Sequence, residues 1–199
     1  MTEYFTPIPF PLWREDKQAF SDAIGRSFRE TGFAVIDQHP VDLDIIQRAI
    51  DASKAFFALP EDVKEKYHDA ANGRQRGYTP FGTENAKGAK AADLKEFWHT
   101  GRALPADSPY RATMKDTPSV PEVEEFDAAT RAFYEALDAF GAQLLKGIAL
   151  HLGQPEDWFD DKVEMGNSIL RLLHYPPQEN PPPAGTVRAG AHEDINVIT

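Results

Sequence analysis

The residues whose types and spacing are best suited to chemistry lie near the end of the chain, at His192 and Asp194. Residues 195–199 follow directly and are rich in β-branched side chains, so this segment is predicted to be a strand. Side chains two positions apart on a strand project to the same side, so we expect His192 and Asp194 to point together and Glu193 to face away. A converging imidazole and carboxylate supply two of the three ligands in a 2-His-1-carboxylate site for non-haem Fe(II).

The same residues leave two other interpretations open. A His-x-Asp pattern is short, so the pair can also be solvated turn residues that lead into a strand. The other alternative is a metal-dependent hydrolase with Glu193 as general base, although alternation along the strand argues against it. The sequence has no cysteine, which excludes disulfides, a cysteine nucleophile and thiolate ligands, so any metal must be held by His and carboxylate side chains.

Length and charge limit the class of protein. A chain of 199 residues is long enough for one domain, or for one domain and part of another. The net charge of −11 and the absence of any Lys/Arg run argue against binding to nucleic acid or to an anionic membrane. Neither a signal-peptide pattern nor a membrane-spanning apolar stretch occurs, so we expect a cytoplasmic protein without a nucleic-acid or membrane partner.

Hydrophobic periodicity predicts the elements that must position the pair. Residues 167–177 are predicted to form a strand that ends in two prolines. Its two faces carry Leu170, Leu172 and His174 on one side, and Ile169, Arg171, Leu173 and Tyr175 on the other. A long helix over residues 121–152 precedes this strand, opening with a proline and ending before a glycine.

Further helices are predicted over residues 15–31 and 42–58, the first of them capped by the glycine that follows it. Between them, residues 33–36 form an apolar run that is typical of a buried strand. Residues 72–88 are rich in glycine and polar side chains and are predicted to be a long loop. A strand around Phe97 is expected to leave that loop.

Several segments resemble the isopenicillin N synthase-like Fe(II)/2-oxoglutarate-dependent oxygenases. The resemblance is carried by Ala191-His-Glu-Asp-Ile-Asn-Val-Ile-Thr199, by Phe-Phe-Ala-Leu-Pro-x-x-x-Lys at residues 56–64, by Arg-Gly-Tyr-x-Pro-x-Gly-x-Glu at residues 76–84, by residues 93–102, and by Arg171-Leu-Leu-His-Tyr-Pro-Pro177. The last of these is similar to the family's Arg-x-Asn-x-Tyr-Pro-Pro segment. Leu173 stands where many members have Asn, which removes one polar contact to the co-substrate.

The resemblance implies an α+β fold in which a double-stranded β-helix, or jelly-roll, core is preceded by a helical N-terminal region. Residues 1–120 would form that region, and residues 121–199 the long bracing helix and the first strands of the core. The family's second ligand His and its 2-oxoglutarate-binding Arg-x-Ser lie beyond the His-x-Asp strand. Because the chain stops inside a predicted strand, we expect it to belong to a longer polypeptide and to be inactive alone.

The resemblance also implies the site. Fe(II) would be bound by His192, Asp194 and a distal His, with 2-oxoglutarate and O2 as co-substrates. The hydroxyl of Tyr175 would hold the carboxylate end of 2-oxoglutarate. The residues expected to line the substrate pocket are Tyr78, Phe97 and His99.

The implied function is that of a dioxygenase, favoured to be monomeric, which hydroxylates a small molecule and releases succinate and CO2. Two alternatives stay open. One is a 2-oxoglutarate-independent Fe(II) oxidase of the isopenicillin N synthase type. The other is a non-catalytic jelly-roll protein that binds a ligand.

Overall fold

Helices and short strands both occur in this protein, whose computed structural model describes residues 6–83, 93–178, 181, 186, 188–190, 192, 194 and 197–199. The helices are α1 (Leu12–Glu15), α2 (Lys17–Thr31), α3 (Leu43–Phe57), α4 (Glu61–Lys64), α5 (Phe126–His151) and α6 (Asp160–Val163). The strands are β1 (Ile8–Pro9), β2 (Ile36–Asp37), β3 (Gly77–Thr79), β4 (Glu96–Gly101) and β5 (Ile169–His174). The described chain therefore mixes helix and sheet.

The chain divides into two compact units, each of which takes segments from both halves of the sequence. One unit contains the described residues up to Leu43 together with Glu135–Gly166. The other contains Asp44–Tyr134 and the described residues from Asn167 to Val197. Each unit has its own apolar core. The expected division at residue 120 stays a prediction.

Helix α2, in the first unit, begins and ends at its capping residues. The Asp16 side chain accepts a hydrogen bond from the Ala19 N–H (2.9 Å), and the Asp16 backbone is extended. The helix therefore begins at Lys17, two residues later than predicted, because an N-cap residue cannot itself be helical. Gly32 adopts a left-handed φ of 80°, which confirms the predicted C-cap.

Aromatic rings from the N-terminal residues, α2 and α5 build the core of the first unit. Phe20 is fully buried, and the Phe10 ring meets it edge-on at 6.0 Å and meets Phe140 at 5.2 Å. A Cβ at Gly25 would lie 2.2 Å from the ring of His151. The bare backbone at position 25 therefore lets that ring pack directly on α2.

The apolar run over residues 33–36 does not form the predicted buried strand. Only Ile36–Asp37 pairs, as β2, in parallel with β1. Phe33 is 65% exposed and Val35 is 42% exposed. The Thr31 hydroxyl donates to the Phe33 carbonyl (3.0 Å), so a local turn already uses the acceptor that a strand partner would need.

Helix α5 starts later than predicted. The prediction placed its first turn at Pro121, whereas the regular helix runs from Phe126 to His151. Glu125 has a φ of 65°, and this left-handed conformation interrupts a helix, so the residues before Phe126 form turns. The 26 residues of α5 span about 39 Å. Neither α5 nor any other described helix is long and apolar enough to cross a membrane.

A three-stranded antiparallel sheet in the order β3-β4-β5 organises the second unit. The register sets Trp98 between Tyr78 and Leu172, so these three side chains share one face, which we call the inner face. The Phe56 ring lies 4.9 Å from Trp98 and 5.9 Å from Tyr78, and Phe126 lies 5.0 Å from Trp98. The inner face is therefore covered by rings of α3 and α5.

The other face of this sheet, which we call the opposite face, carries Phe97 and His99 of β4. In the register, Phe97 pairs with Leu173 and His99 with Arg171. The predicted strand around Phe97 is confirmed, as is the predicted alternation along β5. Its residues 170, 172 and 174 are half-buried, whereas residues 169, 171 and 173 are exposed.

The end of the chain lacks the predicted strand in its described part. Residues 197–199 have no strand conformation, and Val197 is 57% exposed. Residues 195 and 196 lie outside the described residues. A strand needs hydrogen bonds to a neighbour, and the sheets of the described chain pair none of residues 197–199.

Candidate functional site

The two residues expected to bind metal lie together near the end of the chain. His192 Nε2 is 3.6 Å from Asp194 Oδ1, and both side chains are more than half exposed (62% and 53%). His192 Nδ1 is 2.8 Å from the Gly190 carbonyl oxygen, so Nδ1 carries the proton of the neutral ring and Nε2 holds the lone pair. The two electron-pair donors are thus the atoms that face each other.

This arrangement suits two ligands of one divalent cation. Ligand atoms about 2.1 Å from a metal and at right angles around it lie about 3 Å apart. The 3.6 Å between His192 Nε2 and Asp194 Oδ1 is close to that separation. Among the described residues no three His, Asp or Glu side chains form a metal-binding group, so a third ligand would come from elsewhere in the protein. Glu193, the general base of the hydrolase alternative, lies outside the described residues.

Tyr175 directly follows the last residue of β5 and is half-buried. If the alternation of β5 continues one residue past its end, the Tyr175 side chain lies on the face of Leu173. Arg188 donates from Nη2 to the Pro176 carbonyl (3.4 Å). This bond ties the residues just before His192 to the residue just after Tyr175.

Phe97 and His99 form one cluster with Arg171 on the opposite face. The Phe97 and His99 ring centroids are 4.8 Å apart, and the Arg171 guanidinium lies 4.6 Å over the Phe97 ring. His99 Nδ1 is 2.9 Å from the Arg74 carbonyl oxygen, and Arg171 Nε donates to His99 Nε2 (2.7 Å). Because a carbonyl only accepts and a guanidinium only donates, His99 is neutral with its proton on Nδ1.

Thr79, which lies opposite Phe97 in the register, adds a buried hydroxyl to this face. The residue is 1% exposed, and its Oγ1 has no hydrogen-bond partner among the described residues. Buried hydroxyls are nearly always paired, so this oxygen is a candidate contact for a polar group that the described residues do not supply. Sequence reasoning gave Thr79 no role, because it stands in a glycine-rich stretch that was expected to be a loop.

Tyr78, the third residue expected at the substrate pocket, lies on the inner face instead of beside Phe97 and His99. It is 1% exposed, and its hydroxyl donates to Glu96. Burial, and then the hydrogen bond to Glu96, raise the pKa of Tyr78 far above its usual value. The phenol is therefore a fixed neutral donor inside the aromatic core.

A buried carboxylate that sequence reasoning missed is Glu96, at the first position of β4. It accepts hydrogen bonds from Lys64 Nζ (2.7 Å), from the Tyr78 hydroxyl and from His174 Nδ1 (2.7 Å). Burial raises the pKa of Glu96, but the three hydrogen bonds outweigh burial and hold the pKa below its usual range. The available signal was a charged residue directly before the apolar pair Phe97-Trp98.

The N-terminal part of the chain matches a known protein family. Residues 8–123 match the model described as "non-haem dioxygenase in morphine synthesis N-terminal". This range is more than half of the 199 residues and extends from β1 past β4.

Proteins named as 2-oxoglutarate-Fe(II) oxidoreductases or oxygenases match nearly the whole chain. The 2-oxoglutarate-Fe(II) type oxidoreductase hxnY of Emericella nidulans is 31% identical over 184 residues, covering 88% of this chain and 53% of that protein. A 2OG-Fe(II) oxygenase family protein of known crystal structure, from Caulobacter crescentus, is 44% identical with a TM-score of 0.86, covering 96% of this chain and 62% of that one.

A second solved structure is that of a full-length Neurospora crassa protein in complex with alpha-KG. It is 28% identical with a TM-score of 0.78, covering 96% of this chain and 61% of that one. The same Neurospora crassa protein has also been solved with both alpha-KG and thymine. This chain thus spans between 53% and 62% of the length of these relatives.

Proposed function

We propose that this chain, which belongs to the non-haem dioxygenase family, is part of an Fe(II)- and 2-oxoglutarate-dependent oxygenase that acts on a small molecule. The family match confirms the resemblance found in the sequence. Because the chain spans little more than half of its relatives, the activity proposed is that of the whole protein. The proposal includes a jelly-roll core completed by further strands and a cytoplasmic location.

The observation that carries the proposal is the His192–Asp194 pair, whose lone-pair nitrogen and carboxylate oxygen face each other at 3.6 Å. His192 and Asp194 would hold two adjacent positions around Fe(II), and a His from another part of the protein would hold a third. Fe(II), when bound, would activate O2, which is the oxidant: one oxygen atom would go to succinate as 2-oxoglutarate loses CO2, and the other would hydroxylate a C–H bond of the substrate. The bond between His192 Nδ1 and the Gly190 carbonyl fixes the tautomer that keeps Nε2 ready for metal.

The remaining residues would orient the two organic molecules. The Tyr175 hydroxyl holds the carboxylate end of 2-oxoglutarate. Phe97 and His99, on the face that Tyr175 shares by alternation, contact the substrate together with the Thr79 hydroxyl. Tyr78 lies on the inner face, so substrate contact by Tyr78 is not part of this proposal. The Neurospora crassa relative was solved with thymine, which supports a small molecule as the substrate of the whole protein.

A second candidate function rests on Leu173. This residue stands where many members of the family have Asn, and an aliphatic side chain cannot donate to 2-oxoglutarate. The second candidate is therefore an Fe(II) oxidase that uses no 2-oxoglutarate.

Succinate release from the whole protein tests the proposal. The protein is loaded with Fe(II) without oxygen, given 2-oxoglutarate and then exposed to air, beside His192→Ala, Asp194→Ala and the matched surface control Asp161→Ala. We expect succinate from the wild type and the control and none from the other two variants. If iron is bound but no succinate is released, 2-oxoglutarate dependence is rejected, and the Fe(II) oxidase that uses no 2-oxoglutarate is the remaining candidate. Equal succinate release from all four proteins would show that His192 and Asp194 are not metal ligands.

A further inference from the structure

The buried carboxylate of Glu96 joins helix α4 to the end of strand β5. Glu96 is 4% exposed and stands opposite His174 in the sheet register. Its Oε2 accepts from Lys64 Nζ at 2.7 Å and from the Tyr78 hydroxyl, and its Oε1 accepts from His174 Nδ1 at 2.7 Å. The group therefore links three segments that are distant in sequence.

The charge of Glu96 is already balanced without His174. Lys64 is 8% exposed, and its ammonium forms a buried salt bridge with Oε2. The Tyr78 hydroxyl adds a second donor to the same oxygen. The bond at Oε1 is thus not required to neutralise the carboxylate, and what it adds is a fixed position for the His174 ring.

His174 is held from two directions. Its ring stacks on Phe57 with centroids 5.0 Å apart and planes 27° from parallel, while Nδ1 bonds to Glu96. His174 is also the last residue of β5, which has β4 as its only neighbouring strand in the described sheet. A strand end with one neighbour frays unless side chains hold it, and the two contacts of His174 do so.

The residue that follows this anchored position is Tyr175. Alternation turns the Tyr175 side chain to the face opposite His174, so fixing one ring fixes the backbone from which the other projects. We propose that Glu96 and His174 are positioning residues, which set the direction in which Tyr175 presents its hydroxyl to the carboxylate of 2-oxoglutarate. The inference rests on the function proposed above and goes beyond it, since it gives a role to two residues of the inner face.

Two variants of His174 separate positioning from general stability. His174→Phe keeps a ring against Phe57 and loses the donor to Glu96. His174→Asn loses the ring and keeps an N–H donor near the place of Nδ1. Tyr67→Phe is the matched control, because it also deletes a bond to a glutamate, Glu122, that lies outside this network. Changing Glu96 itself would leave Lys64 buried without its counter-ion, so the His174 variants are the sharper test.

The first measurement is the dependence of succinate release on 2-oxoglutarate concentration in the whole protein. We expect His174→Phe to raise the KM for 2-oxoglutarate about 10-fold with kcat little changed, and to lower the unfolding temperature moderately, because Glu96 Oε1 loses its donor. His174→Asn and Tyr67→Phe should keep the wild-type KM. Calorimetric titration of 2-oxoglutarate into the Mn(II)-loaded protein, which does not turn over, should show the same 10-fold loss of affinity. An unchanged KM in His174→Phe would overturn the proposal.

The second measurement observes Tyr175 without any ligand. NMR of the whole protein with labelled tyrosine limits the spectrum to tyrosine signals, and Tyr175→Phe assigns the one of interest. We expect the Tyr175 ring signal to move in His174→Phe and to stay in place in Tyr67→Phe. A signal that stays in place in both variants would show that His174 does not position Tyr175.

The two measurements test the proposed function and the positioning role separately. If no variant and no wild-type protein releases succinate, the proposed function is wrong, and the Tyr175 signal alone decides whether Glu96 and His174 position this residue. If succinate is released but His174→Phe changes neither KM nor the Tyr175 signal, the function stands and the positioning role is refuted.

Discussion

Replacing Gly101 by alanine should destabilise the protein strongly, because the Arg76 guanidinium occupies the space that the new methyl group needs. A Cβ at Gly101 would lie 2.0 Å from Arg76 Cζ and Nε. Arg76 is only 6% exposed. Its Nε donates to the Lys115 carbonyl (3.1 Å), its Nη1 to the Gln75 carbonyl (2.7 Å) and its Nη2 to Asn167 Oδ1 (2.6 Å). Moving the guanidinium therefore breaks bonds that hold three segments together.

The size of the effect follows from these bonds. A hydrogen bond from a charged donor contributes about 1.5–3 kcal/mol, so losing two of the three from Arg76 costs about 3–6 kcal/mol. Domains are commonly stable by about 5–15 kcal/mol, so this loss is a large part of the total. With a urea slope of about 2 kcal/mol per molar, the midpoint of unfolding should fall by about 1.5–3 M.

Two further variants identify the cause. Gly141→Ala places a Cβ no closer than 3.7 Å to Ile198 inside a helix, so it should be neutral or stabilising by up to about 1 kcal/mol. In an Arg76→Ala background, Gly101→Ala should cost little, because the clashing group is gone. A penalty of the same size in both backgrounds would refute the steric explanation.

Three other predictions concern titration and packing. Burial raises the pKa of Glu96, but its hydrogen bonds lower the pKa by more, so the net shift is downward. The stabilisation from ionised Glu96 is therefore present above about pH 4 and is lost as the pH falls through the lowered pKa. Urea unfolding at pH 7 and pH 3 should show a larger loss of stability in acid for the wild type than for Glu96→Gln. Gly25→Ala should lower the unfolding temperature because its Cβ would meet the His151 ring at 2.2 Å, and adding His151→Ala should restore it. Burial and Glu122 raise the pKa of Tyr67 to about 12, so the phenolate absorbance that disappears in Tyr67→Phe should titrate near that pH, and a midpoint near 10 would contradict the contact.

The sequence predicted best those elements whose signals lie within a few residues of one another. Gly32 was recognised as a cap because a helix end and a residue tolerant of positive φ coincide there. The two faces of β5 followed from simple alternation, and the side-chain burial agrees. The proximity of His192 and Asp194 was expected from the same rule, while their role as metal ligands stays a prediction.

Features that depend on partners distant in sequence were not predicted. The pairing of Glu96 with Lys64 joins residues 32 positions apart, and nothing local indicates it. The late start of α5 follows from the left-handed backbone at Glu125, a residue type that ordinarily favours helix. Tyr78 and Phe97 were grouped as pocket residues, although only the register of β3 against β4 reveals that they lie on different faces.

The open side of β5 bears on how this chain behaves in concentrated solution. In the described sheet, β5 has a neighbouring strand on one side only, and Ile169 and Leu173 are 38% and 46% exposed on it. Unpaired backbone N–H and C=O groups beside apolar side chains are a template on which another polypeptide can add. Where no segment outside the described residues covers β5, this edge favours edge-to-edge aggregation, so the solubility of the protein depends on what covers that strand.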